Sequence, residues 1–225
     1  MIRTLLLFCL VVLTSTPDLA LARQSPEKAT KSSIRDFDSA DDMIDWLSEP
    51  ERNANVLTKD SDGGILSIAL SNSTATNGNI ELLSQFRSLR HLRIKCANRI
   101  SPEGFLKFSE LKTLEHLELG LVYGKLPVNF WETLALCPKL KKIDLVYLEL
   151  PDKEMAGVEK LPALESISFR NVKGMTQVSC EQMAALSRLR MLKVSRTTLR
   201  PSDIAPLDKM HNNCNISVEF KRNAR

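Results

Sequence analysis

A chain of 225 residues, 43% of them hydrophobic, is long enough to bury a sizeable core. Lys and Arg number 31 against 27 Asp and Glu, a net charge of +4, and with no basic stripe interleaved by aromatics this mild excess does not point to nucleic acid. The five cysteines contain no C-x-x-C pair, which removes the usual zinc and redox motifs.

The chain opens MIRTLLLFCLVVLTSTPDLALA, with a basic Arg3, an apolar run from Leu5 to Leu13 and Ala20-Leu21-Ala22 as a small-x-small cleavage site. Residues 1–22 therefore read as a secretory signal. The apolar run is shorter than the roughly 20 residues a membrane-spanning helix needs, so no transmembrane segment is expected after cleavage, and Cys9 lacks the context of a lipid anchor. Because Arg3 and Asp18 leave together, the net charge is unchanged. The expected setting is secreted, periplasmic or cell-envelope.

Residues 23–38, RQSPEKATKSSIRDFD, are polar and charged and read as a flexible lead-in. Residues 39–64 read as an N-terminal cap. Ser39 with Asp42 at capping-box spacing opens a short amphipathic helix carrying Met43, Ile44, Trp46 and Leu47 and ending before Pro50. Val56 to Thr58 and the turn signal Asp62-Gly63-Gly64 then predict a short strand joined by a hairpin to the strand beginning at Ile65.

From residue 65 to 220 one unit recurs. Strands of the form LxxLxL begin at Leu89, Leu114, Leu140, Leu164 and Leu189, with an earlier copy, ILSIAL, at Ile65 and a decayed one at Asn213, a period of 24 to 26 residues. All but the copy at Ile65 are preceded by an apolar triplet at helical spacing: Ile80/Leu83/Phe86, Phe105/Phe108/Leu111, Trp131/Leu134/Cys137, Met155/Val158/Leu161, Cys180/Met183/Leu186 and Ile204/Leu207/Met210. The last triplet residue always lies three residues before the strand, whereas the segment after the strand varies by two residues. Helix end and strand start are thus coupled, and loops absorb the length changes. A strand that returns through a helical crossover must pair in parallel, and self-similarity at this period implies a solenoid. Residues 221–225, KRNAR, form a tail.

Position by position this pattern resembles the leucine-rich-repeat family, in a small secreted and bacterial-type form with a helical convex side. Cys137-Pro138-Lys139-Leu140 echoes the C-x-x-L of its cysteine-containing subtype. The resemblance implies an α/β leucine-rich-repeat solenoid with a curved parallel sheet on its concave side, short convex helices, about seven strand repeats and an N-terminal capping helix. It also implies a non-catalytic protein-interaction module, a monomer with a protein partner and no cofactor. One departure is plain: the family's Asn or Cys at the ninth repeat position is replaced by Ser73, Ala97, Val122, Leu148, Val172 and Thr197, so a buried side-chain ladder serving the turn backbone is not expected.

Period-two alternation buries strand positions 1, 4 and 6 and turns 3, 5 and 7 onto the concave face. There the chain offers His91, Arg93, His116, Glu118, Lys142, Asp144, Arg170 and Lys193, a polar set of mixed sign. Two readings stand beside one another: a protein-recognition surface, or a solvated face whose neighbouring charges offset each other. A rim patch of Leu121, Val146 and Tyr147 is a second binding candidate, with core packing as its alternative. His91, His116 and Glu118 also supply zinc-type ligands without an evident third well-placed partner, and no hydrolase or phosphate-binding motif occurs. The remaining rivals are a structural envelope role without a discrete ligand and, last, a metal-dependent hydrolase. Cys96, Cys137, Cys180 and Cys214 fall at different repeat phases, which favours free thiols over bridges; Asn72-Ser73-Thr74 and Asn215-Ile216-Ser217 match the N-glycosylation pattern.

Overall fold

The computed structural model of the protein describes residues 34–49, 57–209 and 214–220. Residues 1–22, read above as a secretory signal, the first part of the expected lead-in and residues 221–225 lie outside the described residues.

The helix read at Ser39 is α1, Ala40–Ser48, and the Ser39 hydroxyl accepts from the Asp42 amide at 3.1 Å. Its apolar face buries Met43 and Leu47 and leaves Ile44 and Trp46 half-buried. Next come two strands, β1 (Leu57–Lys59) and β2 (Ile65–Leu70), paired antiparallel. Their connecting turn is held by Asp60, whose carboxylate accepts from the amides of Asp62 and Gly64, while Gly63 takes φ 84°, a left-handed conformation that glycine adopts without steric cost.

Six further strands continue the sheet in parallel: β3 (His91–Ile94), β4 (His116–Lys125), β5 (Lys142–Glu149), β6 (Ser166–Arg170), β7 (Met191–Thr197) and β8 (Asn215–Phe220), in the spatial order β1 to β8. The registers pair Leu92 with Leu117, Leu117 with Ile143, Ile143 with Ile167 and Ile167 with Leu192. Equivalent core positions therefore lie side by side. On the covered face of the sheet pack α2 (Asn77–Leu82), α3 (Pro102–Leu106), α4 (Phe130–Ala135) and α5 (Gln177–Ala184), and the triplet residues they carry are buried with the strand leucines in one core.

The first leucine of each LxxLxL lies before its strand rather than in it, yet it is buried. In four of the five its amide donates to the carbonyl three residues back: Leu89 to Phe86, Leu114 to Leu111, Leu140 to Cys137 and Leu189 to Leu186. A single hydrogen-bonded turn thus joins helix end to strand start, and that fixes the three-residue spacing in the sequence.

The first two predicted helical segments end in 3₁₀ turns, Leu83–Gln85 and Lys107–Glu110, and two others are 3₁₀ with no α-helical part. The Met155/Val158/Leu161 copy consists of two 3₁₀ turns, Asp152–Glu154 and Val158–Lys160, separated at Gly157 with φ 95°. The Ile204/Leu207 copy is a 3₁₀ segment, Pro201–Lys209, in which Pro206 removes a donor; Met210 lies outside the described residues. Short runs of 3₁₀ are the usual outcome where a helix cannot sustain its i→i−4 bonds.

Without the family's Asn or Cys at the ninth repeat position, several turn groups are served by neighbouring backbone, while the Thr197 hydroxyl accepts from the Leu199 amide and the Thr74 hydroxyl from the Ser71 amide. Ala97 donates to the Gly120 carbonyl, Asn171 to Ser195, Lys173 to Leu148 and Leu150 to Lys173. At the eighth position Tyr147, Asn171 and Arg196 all adopt left-handed conformations, with φ of 54° to 58°. This local reversal turns Leu148, Val172 and Thr197 into the core. Position seven of the repeat that starts at Leu114 is a glycine for a different reason, since a Cβ on Gly120 would come within 2.5 Å of the Lys95 carbonyl oxygen.

Residues 34–38, placed by composition in the flexible lead-in, are held against the first coil. Phe37 is buried and packs edge-on against Trp46, and the Arg35 guanidinium lies over both rings. Neighbouring coils are also joined at their helix starts. The Asn77 side chain exchanges hydrogen bonds with Ser101, and the Asp152 carboxylate accepts from the amides of Thr176 and Ser179 and from both hydroxyls. Burial opposes ionisation of Asp152, but the bonds from Ser179 and Thr176 outweigh it and hold the carboxyl below its usual range. A depressed acid stabilises the fold above its unfolded value, and the gain is lost as pH falls through the folded value. Asp152→Ala is therefore expected to cost about 1 to 2 kcal/mol at pH 7, in the range of helix-cap deletions, and less at pH 3. Urea denaturation of wild type and variant at the two pH values checks it; a cost that is the same at both would remove the carboxylate from the explanation.

Candidate functional site

On the open face of the sheet, alternation places His91 and Arg93 on β3 and His116 and Glu118 on β4. The register sets His91 opposite His116 and Arg93 opposite Glu118. Together with Ser67, Ala69 and Leu92 they line a hollow of about 380 Å³. Ser67 and Ala69 hold the same phase on β2 as the histidines and arginine next to them, and their small side chains leave the space. They are absent from the charged set picked out in the sequence; the signal was the size contrast between adjacent repeats.

Most charges around the hollow are already engaged. Arg93 Nε donates to Glu118 Oε2 at 2.6 Å. His116 Nε2 lies 2.6 Å from Asp144 Oδ2, and Lys142 Nζ reaches the same oxygen at 3.1 Å. Facing an ionised carboxylate, His116 Nε2 must carry the proton. Glu115, just before β4, has Arg90 at 3.9 Å and Lys141 at 3.7 Å. The His91 ring instead packs edge-on against His116, with centroids 5.7 Å apart, and has no hydrogen-bond partner among the described residues.

Asp144 departs from the expected exposed position: it is only 9% exposed, because His116 and Lys142 close over it. Burial disfavours its charge, but hydrogen bonds from His116 and Lys142 more than offset this and keep the carboxyl below its ordinary range. For His91, partial burial and then the neighbouring His116 lower the imidazole below its usual value, with Arg90 and Lys142 adding to the effect and Glu115 opposing it. Arg170 and Lys193 lie on β6 and β7, opposite Val146 and Ser168, several strands from the hollow and outside its lining.

Of the rim candidates, Leu121 follows the core-packing alternative. Leu121 is 3% exposed and belongs to the core, because β4 continues to Lys125 through an irregularity between Gly120 and Gly124. Val146 is half-buried, and Tyr147 alone of the three is exposed, at 54%. It borders a smaller recess of about 140 Å³ with Leu148, Glu149, Asn171 and Lys173.

Zinc-type coordination does not form at His91, His116 and Glu118. His116 and Glu118 are committed to Asp144 and Arg93, and among the described residues no group of three or more His, Cys, Asp or Glu side chains is placed to hold a metal ion. Cys96, Cys137, Cys180 and Cys214 carry no disulfide. Burial pushes the Cys137 thiol up to about 11 and the Cys180 thiol up to about 12, so neither supplies a thiolate nucleophile near neutral pH. Among the described residues no helix is long and apolar enough to cross a membrane.

No protein-family model matches the chain, and no curated protein matches it. Among solved structures it is similar to an internalin from Listeria monocytogenes, with 17% identity over 61% of this chain and a TM-score of 0.38. The match covers 45% of that chain, so this protein spans less than half of its length.

Proposed function

We propose that this is an exported leucine-rich-repeat protein whose open sheet face binds a protein partner. The observation that carries the reading is the hollow lined by His91, Arg93, His116 and Glu118, a depression on an otherwise regular face where hydrogen-bonding groups of both signs converge. Repeat proteins use extended faces of this kind for binding. Export is supported by the signal-like start of the sequence, and the family assignment by the seven strand copies with their coupled apolar triplets. The non-catalytic reading is supported by the pairing of the acids around the hollow with basic groups.

Capture with the immobilised chain from secreted and envelope fractions of the source organism tests this. Arg93→Ala with Lys142→Ala is expected to reduce recovery of a stoichiometric partner at least about fivefold, the equivalent of 1 kcal/mol. Both side chains are about half exposed and lie outside the core, so the melting temperature should change little. Recovery that survives the double variant but is abolished by Tyr147→Ala would move the site to the rim recess. Absence of any stoichiometric partner would sink the module reading.

A further inference from the structure

The charges facing His91 are unevenly satisfied. From β4 and its lead come His116, Glu115 and Glu118; from β3 and its lead, Arg90 and Arg93; from β5, Lys142 and Asp144; β2 contributes only Ser67 and Ala69. Each of the three carboxylates is held by a basic group: Glu115 by Arg90 and Lys141, Glu118 by Arg93, and Asp144 by His116 and Lys142. No acid is left to take up a further positive charge, whereas the His91 ring has no hydrogen-bond partner among the described residues. With both imidazoles neutral, Arg93 and Lys142 are offset by Glu118 and Asp144. A proton on His91 then adds a positive charge that only Glu115, itself shared by Arg90 and Lys141, partly offsets.

We propose, resting on the protein-binding reading above, that this hollow recognises a carboxylate of an acidic segment on the partner protein, with the His91 ring and the Arg93 guanidinium as its anchors, and that it engages more tightly in acid. The linkage has a definite sign. In the free protein His91 takes its proton only below the usual imidazole range, because burial and His116 oppose the charge. An incoming carboxylate within hydrogen-bond reach favours the charged ring, so binding takes up a proton and strengthens as pH falls through the imidazole range. Peptide acids favour this site over phosphates because the hollow is shallow in charge: one guanidinium already bonded to Glu118 and one imidazole suit a single negative charge.

The test titrates the exported chain with fluorescein-labelled hexaglutamate by anisotropy at pH 7.5 and 5.5 at constant ionic strength, with hexalysine and a hexathymidylate as comparison probes. Hexaglutamate should bind at least about threefold more tightly at pH 5.5 than at pH 7.5. His91→Gln should flatten the pH dependence, and Arg93→Gln should weaken the peptide at both pH values; circular dichroism of both variants at both pH values establishes that they are folded. Equal affinity at the two pH values, an acid gain that survives His91→Gln, or tighter binding of hexalysine or hexathymidylate than of hexaglutamate would each overturn the proposal. These outcomes are distinct from failure of the module itself, since a partner captured at neutral pH and lost on the Arg93 and Lys142 substitutions keeps the module whatever the pH profile.

Discussion

Trp131→Ala is expected to lower stability by about 3 to 5 kcal/mol, the range for deleting a buried large aromatic side chain. Trp131 is 1% exposed and sits at the start of α4, edge-on to Phe130 at 5.1 Å, and Phe130 in turn meets Phe105 at 6.1 Å and Phe105 meets Phe108 at 5.3 Å. A chain of rings therefore ties two successive coils through their helices. The indole also donates to the Glu154 carbonyl at 2.6 Å, in the next coil. Truncation opens a cavity between coils and leaves that carbonyl without its donor, which adds to the loss. Trp131→Phe separates the two effects, because it keeps most of the volume and removes only the N–H; its cost should be about 1 to 3 kcal/mol. Urea denaturation followed by circular dichroism measures both. A loss below about 1 kcal/mol for the alanine variant would mean that the coils are not coupled through this ring.

The alternation that separates Leu117 from Glu118 was fully legible, because a side chain on a strand has only two faces to choose between and the apolar set selects one. The pairing of His91 with His116 and of Arg93 with Glu118 came from a shared repeat phase, for adjacent parallel strands bring equal phases together. What the phase could not supply was the reach of long side chains. His116 bonds Asp144 two positions along the next strand, and that diagonal contact buries a residue the alternation turns outward. Helix type was hidden in the fourth and sixth copies because the apolar spacing of a 3₁₀ turn and of a short α-helix is nearly the same, and the decision falls to Gly157 and Pro206. The left-handed residues at Tyr147 and Arg196 left no trace, since glycine or asparagine is the usual mark of that conformation. Their strain, about 1 to 2 kcal/mol per residue, is carried by the turn that brings Leu148 and Thr197 inward. Between rim and core, the two readings open for Leu121, burial decides for the core, where β4 runs on through an irregularity that its sequence does not announce.

The least legible residue has the second large effect. Asn79→Ala is expected to destabilise the protein by about 3 to 5 kcal/mol, although its side chain is small and carries no charge. Asn79 is completely buried. Its Nδ2 donates to the carbonyls of Arg35 and Thr74, each at 2.8 Å, and its Oδ1 accepts from the Phe37 amide at 2.9 Å. Alanine leaves three backbone groups without their partner, each costing about 1 to 3 kcal/mol where water cannot replace it. Water can reach the Arg35 and Phe37 end once residues 34–38 lift off, so the loss should fall short of the full sum. That gives the variant a second signature: protease cleavage near Arg35 should accelerate along with the drop in stability. Asn79→Asp tests the geometry further, because a carboxylate still accepts from Phe37 but faces the two carbonyls without a donor. It should be at least as destabilising as alanine at pH 7 and should recover as pH falls and the acid is protonated. Wild-type stability in both variants, with unchanged cleavage at Arg35, would show that the stretch before α1 is held by its other contacts, such as Phe37 on Trp46 and the Arg35 amide on the Ser73 carbonyl, without the Asn79 bonds.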